Sequence, residues 1–113
     1  MVMLPKDTNA LGSIFGGVIL SHIDLAAGEY ARAVAPHRYV TKILREVEFI
    51  APVKVGDTVS YYCDTVKIGN TSITISILVQ AERGFGKRET IKVTEAECIM
   101  VAIDDKGKPI SIK

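Results

Sequence analysis

The sequence predicts an α+β domain, one long helix followed by four long strands that form a curled antiparallel sheet around it. Three observations carry this reading. Apolar residues recur at helical spacing from Ile14 to Val34, and Pro36 stops the run. From Tyr39 onward the period falls to two. Short glycine-containing turns separate the later runs, which is how antiparallel neighbours are joined.

The elements follow in order. Pro5 to Leu11 reads as a loop rich in turn formers, among them Asp7, Thr8 and Asn9. In the helix, Phe15, Val18, Ile19, Ile23, Ala27 and Tyr30 cover a very wide apolar arc, so it is expected to be wrapped on most sides. The strands are expected at Tyr39 to Ile50, Thr58 to Ile68, Ser72 to Glu82 and Glu89 to Asp104. Gly56-Asp57, Gly69-Asn70 and the loop Gly84-Phe85-Gly86-Lys87-Arg88 mark the turns between them. Ile99 to Ile103 is apolar on both faces, which places the last strand inside the sheet.

At 113 residues the chain is read as a single domain, 1–113. A net charge of +1 leaves no electrostatic footprint for nucleic acid. With 48% hydrophobic residues in so short a chain, some surface is expected to be covered by other subunits. No run approaches a membrane span and the first residues lack a signal-peptide core, so a cytoplasmic protein is expected, with no membrane partner. Cys63 and Cys98 read as reduced core thiols. The chain has no zinc spacing, P-loop, dinucleotide fingerprint or Gly-x-Ser-x-Gly elbow, so no metal or cofactor is expected.

The chemistry is expected at the helix. Gly16 and Gly17 open it, and a double glycine in a first turn offers bare backbone N–H groups to an oxygen. Asp24 follows eight residues after Gly16, among the small neighbours Gly17, Ala27, Gly28 and Ala31, and is expected to be a buried acid with a catalytic task. Eight helical residues rise about 12 Å, so one carbonyl cannot touch both groups of one helix. Two copies of the chain must then share a site. Asn9 can orient a water or a carbonyl at the mouth, although as a residue type it is equally a turn former. His22 lies on another helix face and reads as structural. Arg83, Lys87 and Arg88 flank the Gly84–Gly86 loop and are either a solvated turn or phosphate ligands.

Asp7 through Gly17, then Ile23-Asp24-Leu25-Ala26, resembles the start of the hotdog-fold acyl-CoA thioesterases of the YciA-like and brain acyl-CoA hydrolase type. The likeness continues through Phe49-Ile50-Ala51-Pro52-Val53, Val55-Gly56-Asp57, Gly69-Asn70-Thr71-Ser72 and Thr94-Glu95-Ala96. It implies a hotdog fold and hydrolysis of acyl-CoA to free acid and CoA, coenzyme A being part of substrate and product. It implies Asp24 as general base or nucleophile, Asn9 as a positioning group, and the Gly16–Gly17 backbone as the polariser of the thioester carbonyl. Asn70, Thr71 and Ser72 join Arg83, Lys87 and Arg88 as candidate CoA contacts. Homodimers with shared sites, assembled as trimers of dimers, are the expected partners. Departures include a short segment before Pro5, an early end after Pro109, and Ser13 and Val18 at positions where relatives carry other residues. The rival reading keeps the pocket without turnover, as a non-catalytic acyl-CoA-binding or sensing module. A hydratase or dehydratase would need a histidine beside the acid, and His22 faces away.

Overall fold

A computed structural model describes residues 2–4, 6, 8, 13–14, 16–84 and 88–113. Helix α1 spans Gly16–Val34, and strands β1 to β4 span Arg38–Phe49, Thr58–Ile68, Ser72–Arg83 and Glu89–Ile103. The four strands form one sheet in the order β1-β4-β3-β2 with every pairing antiparallel, and α1 packs across one face. The expected α+β architecture and the interior position of β4 are both observed. The helix begins two residues later than its apolar pattern, because the Ile14 N–H is held by the Val53 carbonyl at 2.8 Å. Among the described residues no helix is long and apolar enough to cross a membrane.

The core forms where two periods meet. Ile19, Ile23, Ala27 and Ala31 recur every four residues and turn one stripe of α1 to the sheet. Ile73, Ile75, Ile77, Val79 and Ala81 alternate along β3 and meet that stripe, all at most 2% exposed. Each isoleucine so buried contributes about 1.5–3 kcal/mol relative to exposure. The helix is not wrapped, however. Its outer face stays open in the single chain, with Leu25 62% exposed.

Strand β1 departs from strict alternation. It carries one extra residue between Thr41 and Ile43 and another between Arg45 and Glu48, where Glu46 adopts a φ of 53°. Unbroken alternation from Thr41 would aim Arg45 at the helix. The first bulge turns Leu44 inward instead and sends Arg45 outward, where its Nε donates to Glu97 at 3.0 Å. The left-handed Glu46 sits in the second bulge, at a cost of about 1–2 kcal/mol.

Two ends of the sheet are tied down by the chain around them. Lys54 to Asp57 makes a reverse turn closed by the Asp57 N–H on the Lys54 carbonyl, with Gly56 at φ 90°. Asp57, only 2% exposed, accepts from the Lys54 N–H and from Arg83. At the other end, the C-terminal residues fold back, so that the Ile112 N–H reaches the Asn70 carbonyl and His37 Nε2 meets the Ile112 carbonyl, both at 2.9 Å.

Candidate functional site

Gly16 is the first residue of α1, and its backbone lies against the ring of Phe49 at the end of β1. A Cβ at Gly16 would stand 3.4 Å from the ring, an ordinary van der Waals contact, so the aromatic packs beside the helix start. The ring is 52% exposed. Beside it opens a cleft of about 340 Å³ running under the helix start, walled by Ile14, Ile19, Ile50, Pro52 and Val53. The N-terminal N–H groups of a helix lack intrahelical partners, and here an apolar cleft adjoins them.

Asp24 is exposed in the single chain, which corrects the expectation of a buried acid. The reason is angular. Ile23 points at the sheet, and the next residue is rotated by about 100°, onto the flank over β1. There the Thr41 hydroxyl donates to Asp24 Oδ1. Thr41 also touches Met100 Sδ at 3.4 Å. The carboxylate is therefore oriented, on an edge strand whose outer side carries the exposed Val40 and Ile43. Cys98, beneath it on β4, is fully buried, and burial first, then the Asp24 carboxylate and Cys63, pushes its thiol up to about 11. A thiol so protonated at neutral pH is a poor nucleophile, in keeping with a packing role.

His22 lies on the opposite flank, over β2, edge-on to Tyr61 with ring centroids 6.1 Å apart. Burial pushes the Tyr61 phenol up to about 12, and its hydroxyl has no hydrogen-bond partner among the described residues. His22 thus packs toward β2, whereas Asp24 is held by Thr41 of β1 on the other flank.

The candidate CoA contacts are not brought together within one chain. Asn70, Thr71 and Ser72 enter β3, whereas Arg83 closes it. Eleven residues of strand separate Ser72 from Arg83, about 36 Å. Arg83 is also occupied. Its Nη2 donates to Asp57 at 2.8 Å and to the Pro52 carbonyl at 3.1 Å, so it holds the β1–β2 connection against β3. Arg88 is more available, half-exposed and loosely placed 3.6 Å from Glu82. Asn9 and Lys87 lie outside the described residues. Among the described residues no group of three His, Cys, Asp or Glu side chains is placed to hold a metal.

Comparison with known proteins decides the family. Residues 11–84 match the model of the thioesterase superfamily. The chain belongs to that family. It is 44% identical over 110 residues to the acyl-CoA thioester hydrolase YciA of Salmonella typhimurium, covering 94% of this chain and 81% of that one. Among solved structures, a hexameric hotdog-fold thioesterase of Campylobacter jejuni superposes with a TM-score of 0.95 at 43% identity, covering 100% of this chain and 86% of that one. A hexameric broad-specificity acyl-coenzyme A thioesterase, solved with an aspartate replaced by alanine, gives a TM-score of 0.96 at 35% identity, covering 100% and 83%. The curled sheet with its single helix is thus the hotdog fold.

Within this thioesterase domain, sequence reasoning missed Thr41. Its signal is faint, a threonine in a β-branched strand, and only the packing of α1 on β1 aligns it with Asp24. Thr94 was part of a quoted motif, but nothing in the pattern marks it as a wall of the cleft.

Proposed function

We infer that this chain hydrolyses acyl-CoA thioesters to a free carboxylic acid and CoA. The observation that carries the reading is an oriented carboxylate, Asp24 under the Thr41 hydroxyl, on the same helix as a glycine start that adjoins an apolar cleft. Family membership and relatives named as acyl-CoA thioester hydrolases support it. In this reading the Gly16–Gly17 N–H groups polarise the thioester carbonyl and stabilise the developing oxyanion. Asp24 acts as general base on water or as nucleophile. Water supplies the oxygen of the new acid, the C–S bond breaks, and CoA leaves as the thiol with the proton. Asn9 orients the water or the carbonyl. Lys87 and Arg88 meet the phosphates of CoA, and Asn70 to Ser72 contact the same CoA only from another copy of the chain.

The test is direct. Purified protein mixed with acyl-CoAs of short, medium and long chains and a thiol reagent is expected to release CoA with at least part of the panel. CoA bound without release on every substrate would leave the non-catalytic binding module.

The site is shared between two copies that form a dimer, and three such dimers form a hexamer, the number of copies described for two similar thioesterases. The helical rise of about 12 Å between Gly16 and Asp24 supports sharing. So does the edge strand: in an antiparallel β1–β1 pairing, the Thr41 end of one copy lies beside the Phe49 end of the other. Mixing two inactive variants tests it. Asn9→Ala and Asp24→Asn, co-refolded at equal amounts, give half mixed dimers with one intact site each, so about a quarter of normal activity returns. Mixed dimers as inactive as the parents would put Asn9 and Asp24 in a one-chain site. The two free cysteines fit a reducing compartment, and we place the protein in the cytoplasm.

A further inference from the structure

The cleft at the helix start has a buried floor and an open mouth. Ile14, Ile19, Val53 and Thr94 line it and are buried, whereas Phe49 and Ile50 stand half-exposed at its rim. Apart from Thr94 its lining side chains are apolar, so it offers little to a phosphate or an adenine. At about 340 Å³ it lies at the small end of ligand pockets, a size that suits an acyl group better than a nucleotide. The Phe49 ring meets the helix start with its tip. Its Cζ and Cε1 lie 3.4 and 3.5 Å from the position a Gly16 Cβ would take. A carbonyl held by the N–H groups of the helix start therefore has this ring tip beside its first chain carbons, before the chain enters the cleft.

We propose that this cleft takes the acyl chain and that Phe49 selects its shape, admitting unbranched chains and rejecting those branched next to the carbonyl. The inference rests on the acyl-CoA reading above. A methylene chain is one carbon wide and passes beside the ring. A branched carbon needs space on both sides, and on one side stands the ring tip. The ring has little room to yield, because Phe49 is anchored in the β1–β4 ladder opposite Thr94 and packs on the Gly16 backbone. One extra methyl pressed against such a wall lowers kcat/KM by about ten-fold.

The experiment compares kcat/KM for three isomeric substrates, pentanoyl-, 3-methylbutanoyl- and 2,2-dimethylpropanoyl-CoA, in the wild-type protein, in Phe49→Ala and in Phe49→Leu. Equal carbon counts keep the apolar burial similar. The intrinsic reactivity of each thioester cancels when a ratio is compared between proteins. The wild type is expected to favour pentanoyl-CoA over both branched isomers, and Phe49→Ala to reduce that preference by about ten-fold. Phe49→Leu keeps an apolar wall but withdraws the ring tip, and is expected to reduce the preference as well. The side chain is half-exposed, so both variants are expected to fold, which circular dichroism checks. A preference that stays within about two-fold of the wild type in both variants overturns the proposal. So does an equal fall on all three substrates, which would leave Phe49 a structural support only. If the wild type releases CoA from none of the three, the same ratios taken from dissociation constants decide the role of Phe49. If it hydrolyses no acyl-CoA of any length, the hydrolytic reading fails separately.

Discussion

Asp24→Asn is expected to fold as the wild type does and to lose hydrolysis by about 100- to 10,000-fold in kcat. The substitution keeps the shape and removes the charge. Thr41 still finds an oxygen acceptor in the amide, so the local geometry survives. The position is exposed in the single chain, and stability should change by no more than about 0.5 kcal/mol. KM should move little, because the carboxylate is needed at the reacting carbonyl and not for holding CoA. Circular dichroism and steady-state kinetics on short, medium and long acyl-CoAs check both halves. Near-normal turnover on any one of them would end the catalytic assignment of Asp24.

Asp57→Ala is expected to cost about 3–5 kcal/mol of stability, the largest structural effect predicted here. The Asp57 side chain is 3% exposed and accepts from Arg83 and from the Lys54 N–H. Its loss strands a guanidinium of which only 24% is exposed and whose Nε already lacks a partner. The neighbouring pair of changes is informative. Asp57→Leu combined with Arg83→Met replaces both charges with apolar volume and should recover most of the loss, since a buried pair removed whole is far cheaper than one removed by half. Urea midpoints at fixed protein concentration measure this. A loss below about 1 kcal/mol in Asp57→Ala would free Arg83 from its structural role and return it to the CoA phosphates.

Much of this was legible in the sequence because it depends on short-range patterns. The 3.6 and 2 periods gave the helix and all four strands to within two residues, since an apolar residue out of phase exposes itself to water. The interior position of β4 followed from Ile99 to Ile103, apolar on both faces as an edge strand would not be. The glycine start of α1 and the acid eight residues on were visible as residue types at a spacing.

Other features are set by contacts between residues far apart in the chain, to which a local pattern is blind. Arg83 stood beside a glycine loop and read as either a solvated turn or a phosphate ligand, but the turn at Gly56 delivers Asp57 to it from 26 residues away. Asn70 to Ser72 lead into β3 and Arg83 ends it, so they lie at opposite ends of the sheet. Asp24 lies one step off the buried stripe, and whether it is covered depends on what meets the open flank over β1. The bulges at Lys42, Glu46 and Val93 break the period that strand prediction relies on, yet the first decides that Arg45 faces out and the last that Thr94 faces the cleft. Sequence by itself determined the elements, the family and the residue types available for chemistry. Tertiary structure alone decided which of those side chains meet, because register and bulges are fixed by pairing energies summed across the sheet and not by any one segment.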